Sequence, residues 1–132
     1  MVPGDYTQML ALWKKTEGMG FSASDEYAPM ARFIERNSAF CFVCEIDEKI
    51  IGTILCGSDG RRAYIYHLAV DQNFRRRGIA RTLVDYTRKA LKEAGIEKCG
   101  LFIFSTNAAG MEFWKSCDFH ERTDLNYFQT IL

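Results

Sequence analysis

The chain predicts an α/β (α+β) fold: a mixed, mostly antiparallel sheet of about six strands with helices on both faces. Three observations carry this expectation. Apolar residues recur at helical spacing before residue 37 and alternate at strand spacing between residues 39 and 70. Past residue 78 the period returns to that of a helix, which is followed by a short apolar run. Hairpin-length turns join the first strands, whereas a whole helix joins "AYIYHLAV" to "KCGLFIF", and only a parallel pair requires so long a connection.

In order along the chain, Asp5 and Gln8 resemble a capping box, and Tyr6, Met9, Leu10 and Trp13 follow on one helical face. The small-residue loop "EGMGFSAS" leads to a second helix in which Met30, Phe33 and Ile34 share a side, and Pro29 fits close to its start. "AFCFVCEI" and "KIIGTILCG" read as strands joined by a tight turn at Asp47 and Glu48, and "SDGRR" turns the chain into "AYIYHLAV". Ala80, Leu83, Val84, Thr87 and Leu91 then keep one face of a helix while Arg81, Asp85, Arg88 and Lys92 keep the other, until Gly95 stops it. "KCGLFIF" is a buried strand, Ser105, Thr106 and Asn107 offer caps to a helix through "AAGMEFWKSC", and two more strands are expected around Phe119 and in "LNYFQTIL".

The 132 residues suit one domain over 1–132, 48% of it apolar. No apolar run reaches the roughly 18 residues that span a bilayer, so no membrane partner is expected. Seventeen basic residues offset seventeen acidic ones, which argues against nucleic acid as a partner. The odd count of five cysteines fits a reduced, cytoplasmic setting. Cys41 and Cys44 form a CxxC, but three residues apart on a strand they point to opposite faces and read as small core hydrophobes. Two histidines without ligand spacing give no metal site.

Two glycine patterns fail on context. Gly18, Gly20 and Ala23 follow a helix where a dinucleotide fingerprint needs a strand, and Gly52 and Gly57 have P-loop spacing with Ser58 and Asp59 in place of its Lys and Ser/Thr. "FRRRGIAR" passes, because it joins the end of a buried strand to the start of a helix. The amides there have no intrahelical acceptor, the helix dipole favours an anion, and the arginines add charge around a phosphate. Gly78 and Ala80 remove bulk where a ligand must come close.

Residues 39–119 resemble the GNAT superfamily of acetyl-CoA-dependent N-acetyltransferases. Its (Arg/Gln)-x-x-Gly-x-(Gly/Ala) signature is matched by Arg75, Gly78 and Ala80 behind "HLAV", and its second motif by "LFIFSTN" and "FWKSCDF". The resemblance implies transfer of an acetyl group from acetyl-CoA to a primary amine of a small molecule or protein, by direct attack in a ternary complex. It implies that the backbone of Leu68, Ala69 and Val70 pairs with the pantetheine arm. The loop from Arg75 through Arg76, Arg77, Gly78, Ile79, Ala80 and Arg81 would hold the pyrophosphate. It counts Asn107 and Trp114 among the cofactor contacts, and it places Tyr64 and Tyr66 where the amine is handled.

The chain departs from the family in three ways. The strand "AYIYHLAV" carries no carboxylate, and alternation puts Tyr64, Tyr66 and Leu68 on one face with His67 on the other, packed under a helix. Trp114 stands where the family has a tyrosine acid, and Asp118 stands where it has glycine. An acyl-CoA-binding module with little turnover is therefore the alternative to an enzyme. Finally, relatives begin with a strand that this chain lacks before its first helix, so either the sheet has lost an edge strand or the true start lies upstream. An uncovered edge invites pairing with a second copy, which makes a homodimer an expected partner.

Overall fold

The computed structural model describes residues 1–132 as two compact units, Met1–Phe102 and Ile103–Leu132. In the first unit, helices α1 (Tyr6–Lys14) and α2 (Tyr27–Arg36) precede strands β1 (Phe42–Ile46), β2 (Lys49–Ser58) and β3 (Arg62–Val70). Helix α3 (Ile79–Glu93) then leads to β4 (Lys98–Leu101). The sheet order is β1-β2-β3-β4, antiparallel for the first two pairs and parallel for β3 with β4. The mixed sheet is the expected one; its count is four strands rather than about six. Residues around Phe119 and in 125–132 form no strand, because alternation alone does not make a ladder without a partner edge. Between those two segments Arg122 and Asp124 fork together at 2.8 Å, across a bend at 123–124. No helix is long and apolar enough to cross a membrane.

Two local expectations are corrected. Asp5 does not cap α1; its carboxylate accepts the Val2 N–H at 2.8 Å. Gln8 reaches instead to the β1–β2 turn, accepting the Ile50 N–H at 2.9 Å and donating to the Glu48 carbonyl at 3.4 Å. That turn has Asp47 at φ 49° and Glu48 at φ 64°, the doubly left-handed geometry that matches the twist of a two-residue hairpin.

The strands place apolar groups on both faces. On one, Leu55 and Ala69 join Met9, Leu12 and Trp13 of α1 and Met30 and Ile34 of α2 in a buried core. On the other, a Cβ at Gly52 would lie 3.2 Å from both Ile79 and Leu83, so α3 packs directly on the sheet there. Cys41 belongs to the first side and Cys44 lies beside Gly52, so the two thiols are separated by the sheet.

A polar chain crosses the α1-side core. The Trp13 indole Nε1–H donates to Thr53 Oγ1 at 2.9 Å, and Thr53 Oγ1–H donates to the His67 carbonyl at 3.1 Å. Both side chains are fully buried, so neither group has water as a substitute. At the end of β3 the Asp71 N–H closes the ladder on the Ile51 carbonyl (2.8 Å), while its carboxylate accepts the Asn73 N–H (2.9 Å) and faces Lys15 at 3.7 Å. The Asn73 amide, aided by Lys15 and Lys49, holds this carboxyl below the usual carboxylate range despite its burial.

Two predictions follow from these anchors. Thr53→Val leaves the Trp13 N–H buried and unpaired, and urea denaturation should show a loss of about 1–3 kcal/mol with an unchanged m value. Asp71 has a folded-state pKa below its unfolded one, so its contribution is present above the unfolded value and is lost as pH falls through the folded one. Asp71→Asn should therefore lower the midpoint at neutral pH and flatten the acid limb of stability, read by urea titrations from pH 7 down to 2.

Candidate active site

The site begins with an irregularity in the β2–β3 ladder. Leu55 pairs with Tyr66 and Thr53 pairs with Ala69, so His67 and Leu68 together oppose Ile54. This is a β-bulge, and its first residue, His67, sits at φ 43°. Histidine is one of the few side chains that tolerates the left-handed region. The bulge breaks the alternation that the sequence predicts: Ala69, rather than Leu68, resumes the face of Tyr66. His67 does not lie across the sheet from Tyr66 but on the same α1–α2 side. Its ring centroid is 4.6 Å from that of Trp13 and 6.2 Å from that of Phe21.

The second feature is an open edge. The β3–β4 ladder runs from Arg62/Lys98 to Ile65/Leu101 and stops. Beyond it the backbone of Leu68, Ala69 and Val70 has β2 on one side and no strand on the other. The edge leads straight into the arginine loop. Arg75 Nε donates to the Val70 carbonyl at 3.2 Å, and the Arg77 guanidinium lies 5.2 Å over the Phe74 ring, so two of the three arginines brace the loop itself. Arg76 has φ 62° and Gly78 φ 76°, left-handed residues of the kind that occur in anion-binding backbone nests. The first intrahelical bond of α3 runs from the Thr82 N–H to the Gly78 carbonyl at 2.9 Å, so the amides of Ile79 and Ala80 have no acceptor within the helix. Arg81 is exposed on the first turn. A Cβ added at Gly78 meets nothing within 4 Å, so the glycine serves its backbone angle and faces open space. Free amides at a helix N-terminus, a left-handed loop before it and arginine charge fit a pyrophosphate, and the unpaired edge behind them fits an extended amide-bearing arm.

The opposite approach is paved with rings. Phe33 of α2 meets Tyr66 edge-on at 5.8 Å, and Tyr64 stacks on Phe102 at 5.7 Å with 2° between planes. Two glycines seat them. A Cβ at Gly57 would come within 2.8 Å of the Phe33 ring, and one at Gly100 within 3.2 Å of the Tyr64 ring. Beside these rings, His67 Nε2 and Asp25 Oδ1 are 2.5 Å apart, with both side chains largely buried. Asp25 Oδ2 accepts from the Ser22 N–H at 2.8 Å. Sequence reasoning had no sign of Asp25, which lies forty-two residues from its partner. From the sequence, Phe33 is only one of three residues sharing a helix side, and Gly57 only part of a failed motif. A glycine inside a strand does signal a close approach, and that was the available clue to the seats.

In the second unit, helix α4 (Ala108–Ser116) is capped by Asn107, whose Oδ1 accepts the Gly110 N–H at 2.9 Å. Its side-chain amide is left to donate elsewhere. Trp114 packs edge-on against Phe113 and Phe119, at 5.2 and 5.0 Å.

Known proteins share both sequence and shape with this chain. An acetyltransferase of Photorhabdus laumondii subsp. laumondii is 27% identical over 118 residues, covering 89% of this chain and 82% of that protein. One of Sodalis glossinidius is 25% identical over 87% of this chain and 80% of its own length. Among solved structures, an aminoglycoside acetyltransferase from an uncultured soil metagenomic sample, in complex with sisomicin, superposes with a TM-score of 0.76 at 20% identity, covering 100% of this chain and 93% of that one. The PaiA N-acetyltransferase of Thermoplasma acidophilum, in complex with coenzyme A, also gives 0.76, at 19% identity over 88% and 84%. These two share the fold. The sequence model of the Acetyltransferase (GNAT) family matches residues 6–119, from α1 to just past α4, and the chain belongs to that family: it is an acetyltransferase whose acetyl donor is acetyl-CoA.

Proposed function

We propose that the acceptor is a primary amine, on a small molecule or a protein, which attacks the thioester directly while both substrates are bound. The observation that carries this reading is the open edge of β3, which joins an anion cradle at one end to an aromatic-lined opening at the other. In this reading Leu68, Ala69 and Val70 offer backbone groups to the pantetheine arm. The loop from Arg75 to Arg81, with Arg76, Arg77, Gly78, Ile79 and Ala80, receives the pyrophosphate. The family resemblance assigns Asn107 and Trp114 to the cofactor as well. Tyr66, with Tyr64 behind it, orients the amine as it arrives. Amines as different as an aminoglycoside and a ribosomal-protein alanine are named for solved proteins of this fold, which supports an amine acceptor without choosing one. Five free cysteines suit a reducing, cytoplasmic setting.

A thiol-release assay with a panel of alkyl, arylalkyl, aminoglycoside and peptide amines tests the transfer. Binding of acetyl-CoA with no release on any amine would instead make the chain an acyl-CoA-binding module. Acetyl-CoA should raise the melting temperature, as a ligand selective for the folded state must. Gly78→Asp should abolish that rise, since it strains a residue at φ 76° and sets a carboxylate in the cradle. Arg76→Ala should weaken binding only severalfold, because the amides remain. Equal losses by thermal shift would mean that side-chain charge rather than backbone holds the phosphates.

Trp114→Phe keeps an aromatic ring beside Phe113 and Phe119 while removing the indole N–H and part of the ring's bulk. Turnover should stay within about tenfold of the parent, since a general acid is typically worth 10²–10⁴-fold. A hundredfold loss with cofactor affinity intact would assign the indole N–H a part in the transition state.

A further inference from the structure

We propose that His67 and Asp25 form a proton-accepting pair, in which His67 Nδ1 takes the proton from the acceptor amine and Asp25 positions the ring. The inference rests on the transferase reading above, and it adds a residue outside the cradle and the tyrosines.

Four observations carry it. Asp25 Oδ1 meets His67 Nε2 at 2.5 Å, and a carboxylate can only accept, so Nε2 carries a proton and in the neutral ring the lone pair is on Nδ1. Nδ1 makes no hydrogen bond, yet no buried polar side-chain atom in the protein lacks a partner, so Nδ1 is open to solvent. The two side chains are only 15% and 14% exposed, which leaves little room for water to compete with the pair. Last, the ring is fixed from three sides: by Trp13 at 4.6 Å, by Phe21 at 6.2 Å, and through its own carbonyl by the Thr53–Trp13 chain. A left-handed φ at a non-glycine residue costs energy that a merely space-filling side chain would not need. Here it delivers His67 to the Tyr66 side, next to the point where β3 parts from β4.

The chemistry balances. An alkyl amine with a pKa of about 10 arrives as the ammonium at neutral pH. Nδ1 accepts one proton, and Asp25 stabilises the resulting imidazolium. The freed nitrogen lone pair attacks the thioester carbonyl carbon, the C–S bond breaks, and its electron pair leaves on sulfur. The second amine proton goes to that sulfur. Ammonium and acetyl-CoA thus give acetamide, coenzyme A thiol and one proton released from His67 to solvent.

Two measurements test the pair. Long-range proton–nitrogen NMR of the unliganded protein at pH 8 should show His67 protonated at Nε2 with a bare Nδ1, and Asp25→Asn should disturb that pattern. A proton on Nδ1 overturns the proposal whatever the acceptor. In the thiol-release assay with phenethylamine as probe, His67→Asn keeps a residue that tolerates φ 43° and should lower kcat by about 10²–10³-fold. Asp25→Asn should lower it by about tenfold, both with the KM for acetyl-CoA unchanged. Parental kcat in His67→Asn overturns the pair while leaving the transferase reading intact. A parent that binds no acetyl-CoA defeats the transferase reading, and the proposal with it.

Discussion

Two residues of β3 face one residue of β2, and much of the site is arranged by that mismatch. Had the ladder been regular, Leu68 would share the face of Tyr66, and His67 would lie on the far side with α3. The extra residue turns His67 toward α1, restores Ala69 to the core, and lets Val70 pair with Gly52 above α3. The polar chain from Trp13 through Thr53 ends on the carbonyl of the bulge itself. That chain gives the bulge a buried partner, so its irregular backbone is satisfied without water.

From the bulge, two functions separate by direction. Toward the C-terminal end, β3 runs through Asp71 into a loop in which Arg75 and Arg77 are occupied in bracing the turn. In the proposed function the phosphates are thus held largely by backbone groups, with side-chain charge as an addition. Toward the other side lie the rings, on a regular ladder, and at the bulge itself the His67–Asp25 pair, where side-chain identity matters. In the proposed function, donor binding and acceptor chemistry thus rest on different kinds of group.

The same division explains what could be read from residues alone. The cradle is written in consecutive letters, Arg75 to Arg81, and its glycine and helix start are local signals. The order of helices and strands as far as α4 was likewise legible from period changes and turn residues, down to the tight turn at Asp47 and Glu48. The face of His67 was not, because counting alternate residues assumes an unbroken ladder, and the bulge depends on which residues of β2 lie opposite. Gln8 misled for a related reason: spacing fits a local cap, but the turn at Glu48 and Ile50 competes for the same amide and wins. The tail shows the limit of alternation as evidence. "LNYFQTIL" has strand rhythm, yet pairing is a property of two segments and a rhythm belongs to one.

The Tyr64–Phe102 stack has a mechanical meaning. A parallel ladder that ends at Ile65 and Leu101 has a tip, and thermal fraying could carry that tip back toward Arg62 and Lys98 one pair at a time. The stacked rings lie across the two strands at that tip, seated on Gly100, and such a pair is worth about 0.5–1.5 kcal/mol beyond its buried area. They act as a crack-stopper. The seam between β3 and β4 thus has a fixed end at Ile65 and Leu101, held by a ring pair as well as by backbone hydrogen bonds.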